Sequence, residues 1–358
     1  MGEPGPVDLA SGVALTLEAP PASLLRAYDA GSLYGPTINK LTLVNYVTPA
    51  VVRAVEHVAA LVPELPHLYL TSSRDETFDK ALRVLRHHRP KSHVVLGFQG
   101  AYHGHTTAAA RSLSDPSTHR QGPGYFRDFR RLPHPHEHGI DASMQSLRDA
   151  IAEAGGAEHV IGLFLEPVQE RTGRVMPDAF WDALNEVRSE LGIPVVVSES
   201  ATAAYRTGDG PFYCTALDFE PDILSWWGGA QIGFVHVSDA LWVKSPLTFV
   251  STWDGDELSL IRVHHQLRAC RKLDVEAAGE ALAAALSPLA QAGIVLDGVG
   301  LFRVARVGRG ARELSDGLLR QGFRVRELPN GNVVFAPPLD LSMDEYDRLH
   351  RCLAKVLA

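Results

Sequence analysis

Alternation constrains this chain more than any other feature. Short apolar runs of strand length are separated by segments with helical periodicity. Val51, Val52, Val55, Val58, Ala59 and Val62 recur at helical spacing, Leu68–Thr71 reads as a short buried strand, and a helix runs through Ala81–His88. The pattern continues with Ser92–Phe98 and His159–Leu165 as strands, Phe180–Leu191 as a helix, and Ile193–Val197, Asp222–Trp226 and Ile232–Val237 as strands. Strands alternating with helices imply βαβ units, hence an α/β fold whose mostly parallel sheet is flanked by helices on both faces. After Ser251 the texture changes to a helix over Leu258–Leu273 and an Ala-rich stretch over Val275–Ala290. Short strands (Leu301–Val307, Phe323–Leu328, Val333–Ala336) and a last helix, Met343–Val356, then read as a smaller α/β domain. Residues 1–45 are rich in Pro, Gly and Ala, with one short helix around Ala22–Ala27. The expected division is an arm over 1–45, a large domain over 46–255, and a linking helix with the small domain over 256–358.

Composition narrows the function classes. The chain has 358 residues, enough to bury a large core without disulfides or metals. Its 34 basic residues against 42 acidic ones give a net charge of −8, which argues against nucleic acid or anionic membranes as partners. Cys214, Cys270 and Cys352 are scattered and odd in number, so neither a disulfide framework nor a thiolate metal site is indicated. No apolar run reaches the roughly 18 residues that span a bilayer, and a secretory signal pattern is missing. A reducing, cytoplasmic setting is expected. Only six of the basic residues are lysines (Lys40, Lys80, Lys91, Lys244, Lys272 and Lys355), so each can be checked by name.

In open parallel sheets, ligands sit at the carboxyl ends of the strands. That directs attention to the loops 72–75, 99–106, 166–173, 198–208 and 226–233. Glu166 and Glu199 sit near strand ends, and His103 follows an aromatic in a glycine-flanked loop, so these three are the candidate acid–base groups. His134-Pro135-His136-Glu137-His138 lacks the helical spacing of a zinc site and reads as a solvated loop, so no metal is expected.

Several of these loops, in this order, resemble the class III aminotransferases, a family of fold-type I pyridoxal-phosphate (PLP) enzymes, and within it lysine 6-aminotransferase. The resemblance runs from about Leu41 to the C-terminus. It rests on Leu65-Pro66-His67-Leu68, Gly100-Ala101-Tyr102-His103-Gly104, Glu166-Pro167-Val168-Gln169, Arg206-Thr207-Gly208, Pro221-Asp222-Ile223-Leu224, Ser251-Thr252-Trp253 and Pro337-Pro338-Leu339. It implies a dimer whose active sites form across the interface.

PLP chemistry needs a lysine to hold the cofactor as a Schiff base and to move the substrate proton. Ungapped alignment through Pro221–Trp227 puts Gly228 at that position, and none of the six lysines fits instead. The family's aspartate against the pyridine nitrogen is replaced by Ser198, with Glu199 beside it. A hydroxyl cannot compensate a pyridinium charge, and a hydrogen bond to a charged group contributes on the order of 1.5–3 kcal/mol. Arg74-Asp75 stands where the family has the small residues of its phosphate turn, while Ser72 and Ser73 keep hydroxyls that can donate. Thr252 matches the residue that reaches the neighbouring subunit's phosphate, and Tyr102 matches the aromatic stacked on the pyridine ring. Two arginines that grip the substrate carboxylate are replaced by His105 and Ala336. Trp226 and Trp227 are expected to fill space once used by cofactor or substrate.

Three readings follow. The first is a degenerate aminotransferase-like scaffold: a homodimer, or a subunit lending Thr252 to an active partner in a hetero-dimer. The second is a repurposed enzyme using the old cleft without a Schiff base, or transferring amino groups with non-covalently bound PLP or its amine form. The third is an ordinary aminotransferase whose lysine lies elsewhere. PLP is thus implied by resemblance only, without covalent attachment.

Overall fold

The computed structural model describes residues 5–13, 16–35, 47–120, 122, 124–208 and 210–357. Lys40 and the first residues of the resemblance lie outside them. Thirteen strands are seen among the described residues: β1 (Val7–Asp8), β2 (His67–Thr71), β3 (Val94–Phe98), β4 (Phe129–Leu132), β5 (Val160–Leu165), β6 (Val195–Ser198), β7 (Ile223–Trp227), β8 (Gly233–Val237), β9 (Val295–Val299), β10 (Phe302–Arg306), β11 (Phe323–Arg324), β12 (Arg326–Glu327) and β13 (Asn332–Phe335).

The large sheet has the order β2-β8-β7-β6-β5-β3-β4. The pairs β3/β4, β3/β5, β5/β6 and β6/β7 are parallel, and only β8 runs against its two neighbours. Every residue of β3 and β5 is buried, as expected of strands with helices on both faces. One face packs against the helices Pro49–Ala59, Ile140–Glu153, Asp178–Leu191 and Glu257–Cys270, and the other against Arg74–His88 and Ala108–Leu113. The β7–β8 connection is a tight hairpin in which Gly229 and Ala230 take left-handed backbone angles.

A second core gathers the antiparallel sheet β12-β13-β10-β9 and the helices Val275–Ala285, Ala311–Arg320 and Met343–Leu357. The N-terminal segment joins this core. β1 pairs in parallel with β11, and Leu9 is fully buried there.

The Ile140–Glu153 and Ala311–Arg320 helices fall outside the elements expected from the sequence. Both carry apolar residues at helical spacing: Met144, Leu147 and Ile151 in one, Ala311, Leu314 and Leu318 in the other. The histidine-rich segment also differs from the solvated loop expected. Pro135–His138 is one helical turn, and His134, fully buried, caps it by accepting from the His136 amide at 3.2 Å. No group of three or more metal-ligating side chains occurs among the described residues.

Candidate active site

The parallel strands β3, β5, β6 and β7 end on one edge of the large sheet, which brings Tyr102, Glu166, Ser198 and Trp227 to a common cleft. Tyr102 and Glu166 touch directly: the Tyr102 amide donates to Glu166 Oε2 at 2.8 Å. The other oxygen of Glu166 accepts from the Glu170 amide at 3.0 Å. Burial pushes the Glu166 carboxyl up to about 8, with the Glu170 charge adding to it.

Glu170 has the opposite fate. It is buried, yet Arg74, Arg326 and Arg171 hold its pKa down to about 2 against the desolvation. Its carboxylate accepts from Arg74 at 2.8 Å and from Arg326 at 2.7 Å, while Arg171 Nε stands 3.8 Å away. The Arg171 guanidinium instead lies flat on Tyr102, with its central carbon 3.7 Å from the ring centroid. Arg74 reaches both Tyr102 (5.5 Å) and Trp227 (5.2 Å). The ring on which the resemblance stacks a pyridine is thus covered by one of the chain's own cations.

The turn before Arg74 is satisfied internally. Ser73 caps the Arg74–His88 helix by accepting from the Glu76 amide at 3.3 Å, and Glu76 accepts from the Ser72 amide at 2.8 Å. The Ser72 hydroxyl donates to the Trp253 carbonyl and accepts from the Gly255 amide at 3.1 Å. Asp75 turns away from the cleft to accept from His105 N (2.7 Å) and Thr106 Oγ1 (2.6 Å). That close approach needs Gly104, where a Cβ would fall 2.2 Å from the Asp75 carboxyl carbon. The Tyr102 hydroxyl bonds to His105 Nδ1, which ties the two ends of the loop.

Gly228 opens the β7–β8 hairpin. A Cβ built there meets Phe234 Cε2 and Val263 Cγ2 at 2.8 Å and Ile232 Cγ2 at 3.1 Å. The two tryptophans beside it part company, as neighbours on a strand must. Trp227 faces Arg74 in the cleft. Trp226 is buried on the other side, stacked on Phe234 at 4.3 Å and donating from Nε1 to His236 Nε2 at 3.1 Å. Among the described lysines, Lys91, Lys244, Lys272 and Lys355 are exposed. Lys80 is buried against the Phe249 carbonyl and Asp254 (2.7 Å).

Three further residues singled out by sequence point away from the cleft or are fully engaged. His103 sits in the core between Phe78 (5.2 Å) and Phe164 (6.4 Å), where burial drops its pKa to about 3. Glu199 caps the Tyr213–Ala216 turn, accepting from the Tyr213 and Cys214 amides, each at 2.7 Å, and from Thr202 Oγ1 at 2.7 Å. Ala336 is covered by the N-terminal segment: its amide donates to Leu9 O at 2.7 Å and its carbonyl accepts from Gly12 N at 2.9 Å. Ser198 is half-buried at the end of β6, and Thr252 lies in an exposed loop.

Sequence reasoning passed over Glu170, Arg171 and Arg326. The adjacent Glu170-Arg171 in a strand-end loop was a visible signal; Arg326 comes from the small sheet and had none.

Arg206 has another task. It is buried without a carboxylate, and burial lowers its pKa to about 10. It donates to the carbonyls of Leu301 (3.2 Å), Pro337 (2.7 Å) and Gly12, clipping the N-terminal segment and the small sheet to the large one.

Comparison with known proteins follows the same lines. The family model "Aminotransferase class-III" matches residues 36–357. The putrescine–pyruvate aminotransferase of Pseudomonas aeruginosa is 28% identical over 193 residues, 48% of this chain and 42% of that protein. Acetylornithine aminotransferase 1 of Bradyrhizobium diazoefficiens is 26% identical over 205 residues, 54% of this chain and 47% of that protein. These matches span about half the length of the curated relatives. Among solved structures, the lysine aminotransferase of M. tuberculosis in its internal aldimine form superposes with a TM-score of 0.83 at 22% identity, over 94% of this chain and 86% of that one. A transaminase from the marine bacterium Virgibacillus gives 0.82 at 20%, over 97% and 88%.

Proposed function

The chain belongs to the class III aminotransferases, and from that premise we propose that it has left Schiff-base transamination and acts as a scaffold or partner subunit. The observation that carries this reading is the Arg171 guanidinium, whose central carbon lies 3.7 Å from the centroid of the Tyr102 ring, the aromatic that by resemblance stacks on a pyridine. The closed surroundings of Gly228 support it, since no side chain can start there without displacing Phe234 and Val263. The Ser72 and Ser73 hydroxyls are committed to protein partners, and Ala336 lies under residues 9–12. These contacts do not fit a covalently held PLP.

Association is supported by the exposed apolar side chains of Val52, Val250 and Trp253, the last 63% exposed beside Thr252. A homodimer, or a hetero-dimer with a lysine-bearing relative, would give such side chains cover. No helix among the described residues is long and apolar enough to cross a membrane.

An absorbance scan of the purified chain mixed with PLP tests the first half of the proposal. The expected spectrum is that of free PLP. An internal aldimine band near the visible edge, removable by hydroxylamine, overturns it. Co-expression with a lysine-bearing relative from the same host, followed by size exclusion, tests the second half. Migration as a monomer, alone and with the relative, ends the scaffold reading.

A second reading, a repurposed enzyme working without a Schiff base, has one observation in its favour. Glu166 and Glu170, four residues apart, are pushed to about 8 and about 2, so one holds a proton where the other is ionised. His103 and Glu199, buried in structural roles, lend it nothing.

A further inference from the structure

Three arginines around Tyr102 share one carboxylate. Arg74, Arg171 and Arg326 all face Glu170, and no other acid pairs with any of them among the described residues. Arg171 is the extreme case. Its side chain is 14% exposed, its one ion pair among the described residues is with Glu170 at 3.8 Å, and its buried Nε–H has no hydrogen-bond partner among them. The Nε–H groups of Arg74 and Arg326 are likewise buried and unpartnered. A buried cation without its own anion is costly, and five fixed N–H donors per guanidinium call for acceptors.

The cluster opens outward. Arg74 and Arg326 form the inner wall of a cleft of about 650 Å³ between the large sheet, the small sheet and the N-terminal segment. Arg120, Arg312 and Arg324 line its rim, and Glu327 is the one acid lining it among the described residues. Arg324 is held by Asp8 and Ser11, and Arg312 by Asp316 (3.1 Å) and Glu327 (3.8 Å), while no acid pairs with Arg120 among the described residues. The chain as a whole carries −8, so this concentration of positive charge runs against its average. Trp227 and Pro329 offer the cleft an apolar surface.

We infer that this arginine-lined cleft binds a small polyanion bearing at least two phosphoryl or carboxylate groups. The inner group is taken by Arg74 and Arg326, which turn donors toward the cleft while keeping Glu170 between them. The outer group meets the rim arginines. Bidentate guanidinium geometry suits both phosphate and carboxylate, and the low exposure of the inner pair strengthens each contact. Desolvation lowers the Arg171 pKa, the Glu170 charge raises it, and the positive charges of Arg326 and Arg74 lower it again, so three cations lean on a single anion. The inference stands whether or not the chain transaminates, and its readout is heat of binding rather than turnover.

Titration calorimetry of the full chain at low ionic strength tests it, with inorganic pyrophosphate in one arm, citrate in a second, and acetate as the monovalent control. One polyanion is expected to bind saturably with one-to-one stoichiometry, at least about tenfold more tightly than acetate. The pyrophosphate and citrate arms distinguish phosphoryl from carboxylate ligands. Arg326→Gln is expected to weaken that binding about tenfold, and the rim change Arg324→Gln about threefold. Glu170→Gln frees the arginines from their internal anion. It is therefore expected to bind more tightly than the unaltered chain and to regain thermal stability when the polyanion is added. Should Glu170→Gln fail to fold, the two arginine variants carry the comparison alone. Saturable binding in neither arm, or binding that both arginine variants leave unchanged, overturns the inference.

Discussion

Adding one methyl group at Gly228 probes whether the cleft has room for the side chain that transamination needs. Its Cβ would stand 2.8 Å from Phe234 Cε2 and Val263 Cγ2, where ordinary contacts begin at 3.4 Å, so both neighbours must retreat by about 0.6 Å. Neither has space. Phe234 is fully buried and stacked on Trp226, and Val263 is buried on the Glu257–Cys270 helix. Forced overpacking of this kind costs about 1–3 kcal/mol. Removing a glycine from the unfolded chain offsets about 0.4–1 kcal/mol of that. Overpacking wins, and Gly228→Ala is expected to lose about 1–2 kcal/mol, or roughly 1–3 °C in Tm at an unfolding entropy of about 2.1 cal/mol/K per residue. Gly228→Lys adds three more carbons and an ammonium to the same closed space. It is expected to lose at least about 3 kcal/mol and to give no aldimine band with PLP. Urea midpoints and a PLP absorbance scan read both effects. An Ala variant as stable as the parent, or a Lys variant that folds and forms an aldimine, would show that the site is open and refute the reasoning.

Other expectations follow from the same side chains. Glu166 has a folded pKa raised to about 8 from 4.5, so its contribution is fully present below pH 4.5 and is lost as pH rises towards 8. In urea midpoints measured across that window, Glu166→Gln should flatten the decline; an unchanged slope would place the titration elsewhere. His103, His134 and His236 are buried with pKa values depressed to about 3, which gives stability present above pH 6.5 and lost as pH falls towards 3. Substituting His236, whose Nε2 accepts from Trp226, should reduce that acid sensitivity in the same titration while lowering stability at neutral pH. Arg206→Met strands three buried carbonyls and should cost about 3 kcal/mol. Limited proteolysis should then cut near Gly12 before the rest of the chain; cleavage as slow as in the parent would mean that other contacts hold the segment. Asp75→Ala removes the acceptor of the His105 and Thr106 amides and should cost about 2 kcal/mol, with Asp75→Asn recovering part of it in thermal melts.

The fold was legible because its signals are local. β3 and β5 are continuous apolar runs, and the Glu257–Cys270 helix shows its buried face in the spacing of Leu260, Val263 and Leu267. The site was legible only at single positions picked out by the resemblance, such as Gly228 and Arg74. The contacts that surround them were not, since they depend on tertiary structure. Arg326 comes from a two-residue strand of the small sheet, and its partner Glu170 lies 156 positions away. Reading His103 as a candidate base failed for a related reason. Only the packing of Phe78 and Phe164 shows that its ring lies in the core.

The way the departures fit together bears on what the chain became. A cofactor site that merely eroded would leave a void over Tyr102 and unpaired charges around it. Here Asp75, an anion where a phosphate-binding turn is expected, is turned to the Gly104–Thr106 turn and hydrogen-bonded there. That frees Arg74 to reach Glu170, and Glu170 in turn anchors Arg326 from the other sheet. Arg171 covers Tyr102, and Ala336 is hydrogen-bonded to Leu9 and Gly12 of the N-terminal segment. Each change supplies the space or the partner that the next one needs. Buried ionic clusters are costly unless every member is held, and loss of any one partner would leave a charge stranded. Such mutual dependence is what a maintained site requires, and the arginines that line the cleft are the part a ligand can complete.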